Sequence, residues 1–242
     1  MTEAGEQTTR SRVPARLRPY ESRALTYTSS TGKLARMLLI TTLVCGALAA
    51  FSFAVGERSI VQWAEAQGGD VQSRGFISFL LRMPRFLMYA VFALFLIIGI
   101  DRKQRVWVEI ALIVLVLELV FAGTLVRVLK ILIGRPRPFA TVREFRPFLL
   151  TANSYHSFPS GDSADIAASV SFFLYFARTN KVRLLMLLVM AMVMFERLMV
   201  GEHHLSDVAA GAYLSLVASF VVWHWFVVGF PIKRVRAWLR QD

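Results

Sequence analysis

The sequence predicts an all-α, polytopic membrane protein built as a bundle of six transmembrane helices. Three observations carry that expectation. Of 242 residues, 56% are hydrophobic and only 18% are charged, whereas a soluble domain carries more charge and fewer long apolar runs. Six stretches approach the roughly 20 apolar residues that a helix needs to cross a bilayer core. Basic residues gather at the ends of those stretches, as expected for a chain oriented by its positive loops. The length fits a single unit, and no internal repeat is visible.

Residues 1–32 are polar, rich in Thr, Ser and Arg, and lack apolar periodicity. They read as a mobile basic tail carrying Arg10, Arg12, Arg16, Arg18 and Arg23. The membrane unit is expected over 33–232, followed by a short basic tail at 233–242. Its spans fall near 35–55, 78–100, 106–129, 161–178, 183–201 and 208–230. The first run is too long for a signal peptide and too far from Met1, so it is expected to be retained. It holds Cys45, the single cysteine, which reads as a small lipid-facing or core residue. One cysteine excludes an intrachain disulfide and a thiolate zinc site. Ser59–Gln67 reads either as an amphipathic helix on the outer surface or as plain loop. Arg82, Pro84 and Arg85 open the second span and suggest a kink and headgroup contact. The fourth and fifth spans are short and carry polar residues, so hydropathy alone supports them least. Trp223, His224 and Trp225, near the end of the last span, read as interfacial anchors.

The formal net charge of +12 would suggest nucleic-acid binding in a soluble protein. Here the basic residues flank apolar segments, so membrane orientation accounts for most of the excess, and no nucleic-acid partner is expected. With the amino terminus in the cytoplasm, the cytoplasmic segments are the first tail through Arg36, the loops Asp101–Arg105 and Arg178–Arg183, and the tail with Lys233, Arg234 and Arg236. Each is basic. The opposite side receives 56–77, 130–160 and a tight turn near 202–207. The first of these is balanced in charge, and the turn has no Lys or Arg. The loop 130–160 breaks the pattern with Lys130, Arg135, Arg137, Arg143 and Arg146. Either the topology is off by one span or this charge binds an anion. The agreement of the other loops favours the anion.

Three segments hold polar groups at the ends of apolar spans: Lys130-Ile-Leu-Ile-Gly-Arg-Pro-Arg137-Pro138, Ser157-Phe-Pro-Ser160-Gly161-Asp162, and Arg197-Leu-Met-Val-Gly-Glu-His203-His204-Leu-Ser-Asp207. The topology puts all three on the side away from the cytoplasm. Ionisable residues at membrane depth are functional candidates by default. Lys130, Arg137 and Arg197 supply donors for phosphate oxygens. Ser160 suits a helix N-cap, where unpaired amides and the helix dipole favour an anion. His203 and Asp207 are four apart at a helix start, a spacing that brings carboxylate to imidazole and leaves the other ring nitrogen to attack. Taken singly, each segment also reads as a basic surface loop, a plain helix start or a surface pair. Their joint occurrence on one side is what carries weight.

Lys130 with Arg137-Pro138, then Pro159-Ser160-Gly161, then Arg197 with His203 and Asp207, resembles the three-part signature of the type 2 phosphatidic acid phosphatase superfamily. The likeness covers roughly residues 78–225. It implies a helical bundle, no metal or other cofactor, and a phosphohistidine intermediate. It assigns His203 as nucleophile, Asp207 as its orienting partner, and Lys130, Arg137, Ser160, Gly161 and Arg197 as phosphate ligands. The implied reaction is hydrolysis of a lipid phosphate or polyprenyl diphosphate, with phosphatidic acid, phosphatidylglycerol phosphate, lipid A and undecaprenyl diphosphate as candidates. Transfer to a second lipid, or lipid-phosphate binding without catalysis, are the alternatives. The implied setting is a bacterial inner membrane, with the site on its extracytoplasmic face.

Two positions depart from the family pattern. Asp162 stands where a general-acid histidine is usual, and Glu196 stands where serine is usual before the arginine. An ionised Asp162 donates no proton but can act as base for the water that hydrolyses phosphohistidine. Alternatively, Asp165, three residues on, shares a proton with it and restores an acid. His156 is another candidate donor, although a loop histidine reads first as a surface residue. Glu202 and His204 flank the nucleophile and read as supporting or exposed.

Overall fold

The structure is a computed structural model that describes residues 18–68, 71–141, 143–150 and 153–229. Among these residues the regular structure is entirely helical. It comprises α1 (Arg18–Val55), α2 (Glu57–Gln67), α3 (Val71–Asp101), α4 (Arg105–Ile133), α5 (Gly161–Phe176), α6 (Asn180–Met199) and α7 (Leu205–Val228), with a single 3-10 turn at Asn153–Tyr155. Four segments are long and apolar enough to cross a bilayer: Ser30–Val55, Gly75–Asp101, Arg105–Ile133 and Leu205–Val228. They correspond to the first, second, third and sixth expected spans.

α6 falls short of that standard because it carries Lys181, Arg183, Glu196 and Arg197, and α5 does so for a different physical reason. α5 has 16 residues, about 24 Å of helix. It packs against α3, α4, α6 and α7, and most of its side chains from Ser163 to Tyr175 are buried. A helix surrounded by helices need not match lipid in hydropathy, and its Ala and Ser residues let neighbours approach closely. The core lies on this helix. Phe92 of α3, Phe172 of α5 and Trp223 of α7 stack edge to face, with centroids 6.2 and 5.5 Å apart, the arrangement aromatic quadrupoles favour.

Several expectations are corrected. Trp223 and His224 are not interfacial anchors. Trp223 is fully buried and donates its indole N–H to Ser171 Oγ at 2.8 Å, and His224 Nδ1 lies 3.0 Å from Ser30 Oγ. They sit on the face of α7 turned toward α5 and α1, which composition alone does not reveal. Only Trp225 of the three is exposed. α1 begins at Arg18, so residues 18–32 of the basic tail are helical. The remainder of that tail, with Arg10, Arg12 and Arg16, lies outside the described residues, as does the tail at 233–242. Ser59–Gln67, open between helix and loop, belongs to helix α2, where Val61 and Ala64 are buried, Ala64 in one cluster with Leu198 and Val208. α3 runs through Pro84 as one helix.

Candidate active site

The three polar segments converge at one end of the bundle. The first leaves α4 through Gly134, whose φ of 58° closes the helix in the left-handed conformation, with its N–H donating to the Lys130 carbonyl at 2.9 Å. A Cβ at this position would lie 1.8 Å from the Arg146 carbonyl oxygen, so only glycine lets the loop fold back. The returning chain then pairs with 135–137. Ser157 N–H donates to the Arg135 carbonyl at 3.1 Å, and Arg137 N–H donates to the Ser154 carbonyl at 2.8 Å.

Ser160 is the N-cap of α5, accepting from Ser163 N–H at 3.4 Å. Its own N–H donates to the Asp207 carbonyl at 2.9 Å, which joins the second segment to the third. Ser160 N–H is therefore already used. The amides of Gly161 and Asp162 take no partner among the described residues, leaving them at the positive end of the helix. The contact with α7 depends on Gly211, where a Cβ would fall 2.2 Å from the Ser160 carbonyl oxygen.

His203 lies just before α7 and Asp207 in its first turn. Their side chains face each other, with Nδ1 3.8 Å from Asp207 Oδ2, an electrostatic contact longer than a hydrogen bond. Nδ1 is buried and takes no hydrogen bond. Asp207 is fully buried and heavily engaged: Oδ2 accepts from His204 N–H at 2.8 Å and Ser157 Oγ at 2.5 Å, and Oδ1 accepts from Arg135 at 2.6 Å. Burial lowers the pKa of His204.

Arg137 and Arg197 come from different segments and meet on one carboxylate oxygen. Glu202 Oε2 is 3.2 Å from Arg137 Nη1 and 2.9 Å from Arg197 Nη1. Arg137 is also fixed by Asn153, donating to its carbonyl and side-chain oxygens at 3.0 Å each. Glu202 therefore lies where an anion would be held by both guanidinium groups. Lys130 is within electrostatic range of Arg137, Asp162, Asp207 and Glu202. It makes no ion pair among the described residues, unlike the arginines around it.

The two departures from the family pattern are answered by α3. Asp162 Oδ2 accepts from Arg197 at 2.6 Å and Oδ1 accepts from Arg85. Glu196, fully buried, accepts from Ser78, from Arg82 Nε at 2.8 Å and from Arg197. Arg82 and Arg85 thus hold site carboxylates rather than headgroups. Arg85 Nε is also 3.8 Å from Asp165, which accepts from Tyr89. Asp162 thus has a guanidinium on each oxygen, and Arg85 lies between it and Asp165. His156 is buried, not on the surface, and its Nε2 lies 2.7 Å from the Leu149 carbonyl oxygen, to which it donates.

Four further residues belong to this network. Arg82 and Arg85 could be found by their signal, two cations three apart inside an apolar span, where a charge requires a partner. Arg135 and Glu57 had no comparable signal. Arg135 joins Glu57 of α2 to Ser206 and Asp207 of α7, and only folding brings α2 to that place.

The family model described as the PAP2 superfamily matches residues 111–230. That range contains all three segments and excludes Arg82, Arg85 and Glu57. No match was found among curated proteins or among solved structures.

Proposed function

Through its residues 111–230 this chain is a member of the PAP2 superfamily, and from that premise we propose that it is a membrane lipid phosphatase working through a phosphohistidine. Membership supports a phosphatase in general. The observation that carries the finer reading is the meeting of Arg137 and Arg197 on Glu202 Oε2, next in sequence to His203. Two guanidinium groups from distant segments define an oxyanion position, and the next residue in the chain is a histidine whose ring faces the Asp207 carboxylate at 3.8 Å. A binder without catalysis has no need of the second feature.

In this reading a substrate phosphate displaces Glu202 and takes its place between the two arginines, with Lys130 and the Gly161 and Asp162 amides completing the cradle. The unprotonated ring nitrogen of His203 attacks phosphorus as the bond to the leaving oxygen breaks. Cations and amides stabilise the charge that builds on the equatorial oxygens. Asp207 stabilises the imidazole as it becomes positively charged, and Arg135 holds Asp207. Water then attacks phosphorus, His203 departs, and phosphate is released. Asp162 is the candidate base for that water, since its contacts with Arg85 and Arg197 favour an acceptor over a donor.

All six spans cross the membrane in this proposal, α5 shielded from lipid by its neighbours and α6 turning Leu184, Leu185 and Leu188 outward, and the site opens away from the cytoplasm. The basic loops expected in the cytoplasm support that orientation. Substrates with an acyl or prenyl tail suit a site at the end of such a bundle. No divalent metal takes part: activity should survive EDTA, and loss restored by magnesium would point to Asp162 and Asp165 as ligands. The decisive experiment is phosphate release by the purified full chain from a panel of lipid mono- and diphosphates, with and without His203→Ala. The variant should be inactive throughout, and full activity in it would overturn the mechanism. A lipid acceptor added to the same assay separates hydrolysis from transfer.

A further inference from the structure

The apolar part of α1, Ser30–Val55, is tied to the rest of the molecule near its two ends. At one end Ser30 Oγ lies 3.0 Å from His224 Nδ1, and Lys33 donates to the Tyr175 carbonyl. At the other, Ser52 donates to Glu57 at 3.3 Å, and Glu57 pairs with Arg135. Between these ties α1 meets α7 across small and apolar side chains, among them Cys45, Gly46 and Ala49 on α1 and Ala209, Ala210 and Tyr213 on α7. They leave a groove of about 330 Å³. A Cβ at Gly46 would meet nothing within 4 Å. Leu39, Leu43 and Val44 on the same helix are exposed, so α1 presents an apolar outer surface to the acyl-chain layer.

Phe53 and Arg135 close one end of this groove and also line a second cavity, of about 410 Å³. The second cavity is basic, with Arg58 of α2 and Arg137 and Arg143 of the loop in its wall. Arg58 and Arg143 are exposed and make no ion pair among the described residues. Arg137 continues the path, since its Nη1 is the group that holds Glu202. Apolar groove, basic cavity and anion position are thus contiguous, in that order. A ligand that matches the whole path is apolar over most of its length and anionic at one end.

Resting on the lipid-phosphatase reading, we infer that the α1–α7 groove and the arginine cavity form a side portal for a lipid phosphate, the tail lying in the groove while Arg58, Arg137 and Arg143 gather its phosphate for delivery to His203. Substrate then reaches the site from within the outer leaflet, without leaving the bilayer. A free phosphate ion would use only the basic cavity.

The test is photolabelling of the full chain in lipid nanodiscs with hexadecyl phosphate carrying a mid-chain diazirine. Adducts are expected within 42–53 and 209–213. Adducts confined to α3 and α6 would overturn the portal, whatever any variant does. A second arm compares kcat/KM for hexadecyl phosphate and for soluble ethyl phosphate. Gly46→Trp, which fills the groove, should lower the first by about tenfold or more and leave the second unchanged. Leu188→Trp, on an exposed position of α6, should change neither. Equal losses for both substrates in Gly46→Trp would count against the portal. Labelling in the groove with no phosphate release by the native chain from any of the lipid mono- and diphosphates would sustain the portal and refute the phosphatase reading, so the two fail separately.

Discussion

Replacing Glu202 by glutamine removes the charge that bridges Arg137 and Arg197 while keeping the length of the side chain. Glu202 Oε2 sits 2.9 Å from one guanidinium nitrogen and 3.2 Å from the other, where a phosphate oxygen must lie if both arginines bind substrate. Phosphate therefore competes with an anion that the protein itself supplies. A hydrogen bond to a charged group contributes about 1.5–3 kcal/mol. The Glu202 side chain is 36% exposed, so each contact is discounted toward the ~0.2–1 kcal/mol of solvent-screened pairs. Two such contacts sum to about 0.4–2 kcal/mol, which corresponds to roughly 2- to 30-fold in an equilibrium. Glu202→Gln should accordingly lower the inhibition constant for inorganic phosphate by that factor. The assay is competitive inhibition of phosphate release by the full chain in detergent, backed by calorimetric titration of phosphate in the His203→Ala background. An unchanged or higher inhibition constant would refute the reasoning and assign Glu202 the task of holding the two arginines in place.

Asp207→Asn should lower kcat by about 10²–10⁴ with little change in KM, because the attacking atom survives while the charge facing the imidazole is lost; kcat within a factor of two or so of the native chain would exclude Asp207 from the reaction. Gly211→Ala drives a methyl group against the Ser160 carbonyl, and displacing the α5 amides by about 1 Å should reduce kcat on the order of 100-fold in a chain that still folds; native kcat would show that the α5–α7 contact is not critical. The native chain should prefer prenyl diphosphates to the matching monophosphates, since a phosphomonoester leaving group, with a second pKa of about 6, departs without a general acid. Asp162→His should then raise kcat/KM selectively for the monophosphate, and equal gains for both substrates would sink that account. Finally, Thr141→Cys should react with an impermeant thiol reagent in intact cells, whereas labelling only after lysis would reverse the proposed orientation.

The bundle was legible because a membrane demands long apolar helices, and such runs stand out in α1, α3, α4 and α7. The same rule made α5 and α6 hard to read. α5 is shielded from lipid by other helices, so nothing requires its composition to resemble lipid. Trp223 and His224 failed for a related reason: a residue near the end of a span suits the interface or the core equally well until the facing helix is known.

The three polar segments of the site were written locally, and so the sequence by itself determined them. A histidine four residues before an aspartate at a helix start, Ser160 poised to cap α5, and arginines beside span ends each follow from short-range backbone geometry. What only the tertiary structure decided is which charges answer one another. Asp162 looked like a lost acid, and Glu196 an odd neighbour for an arginine, until α3 supplied Arg85 and Arg82. Arg135 looked like one more loop cation until it joined Glu57 to Asp207. Those pairings span 77 residues for Arg85 and Asp162 and 114 for Arg82 and Glu196. Such separations carry no periodicity along the chain; the pairs form because a buried charge requires a partner and packing decides which one is near.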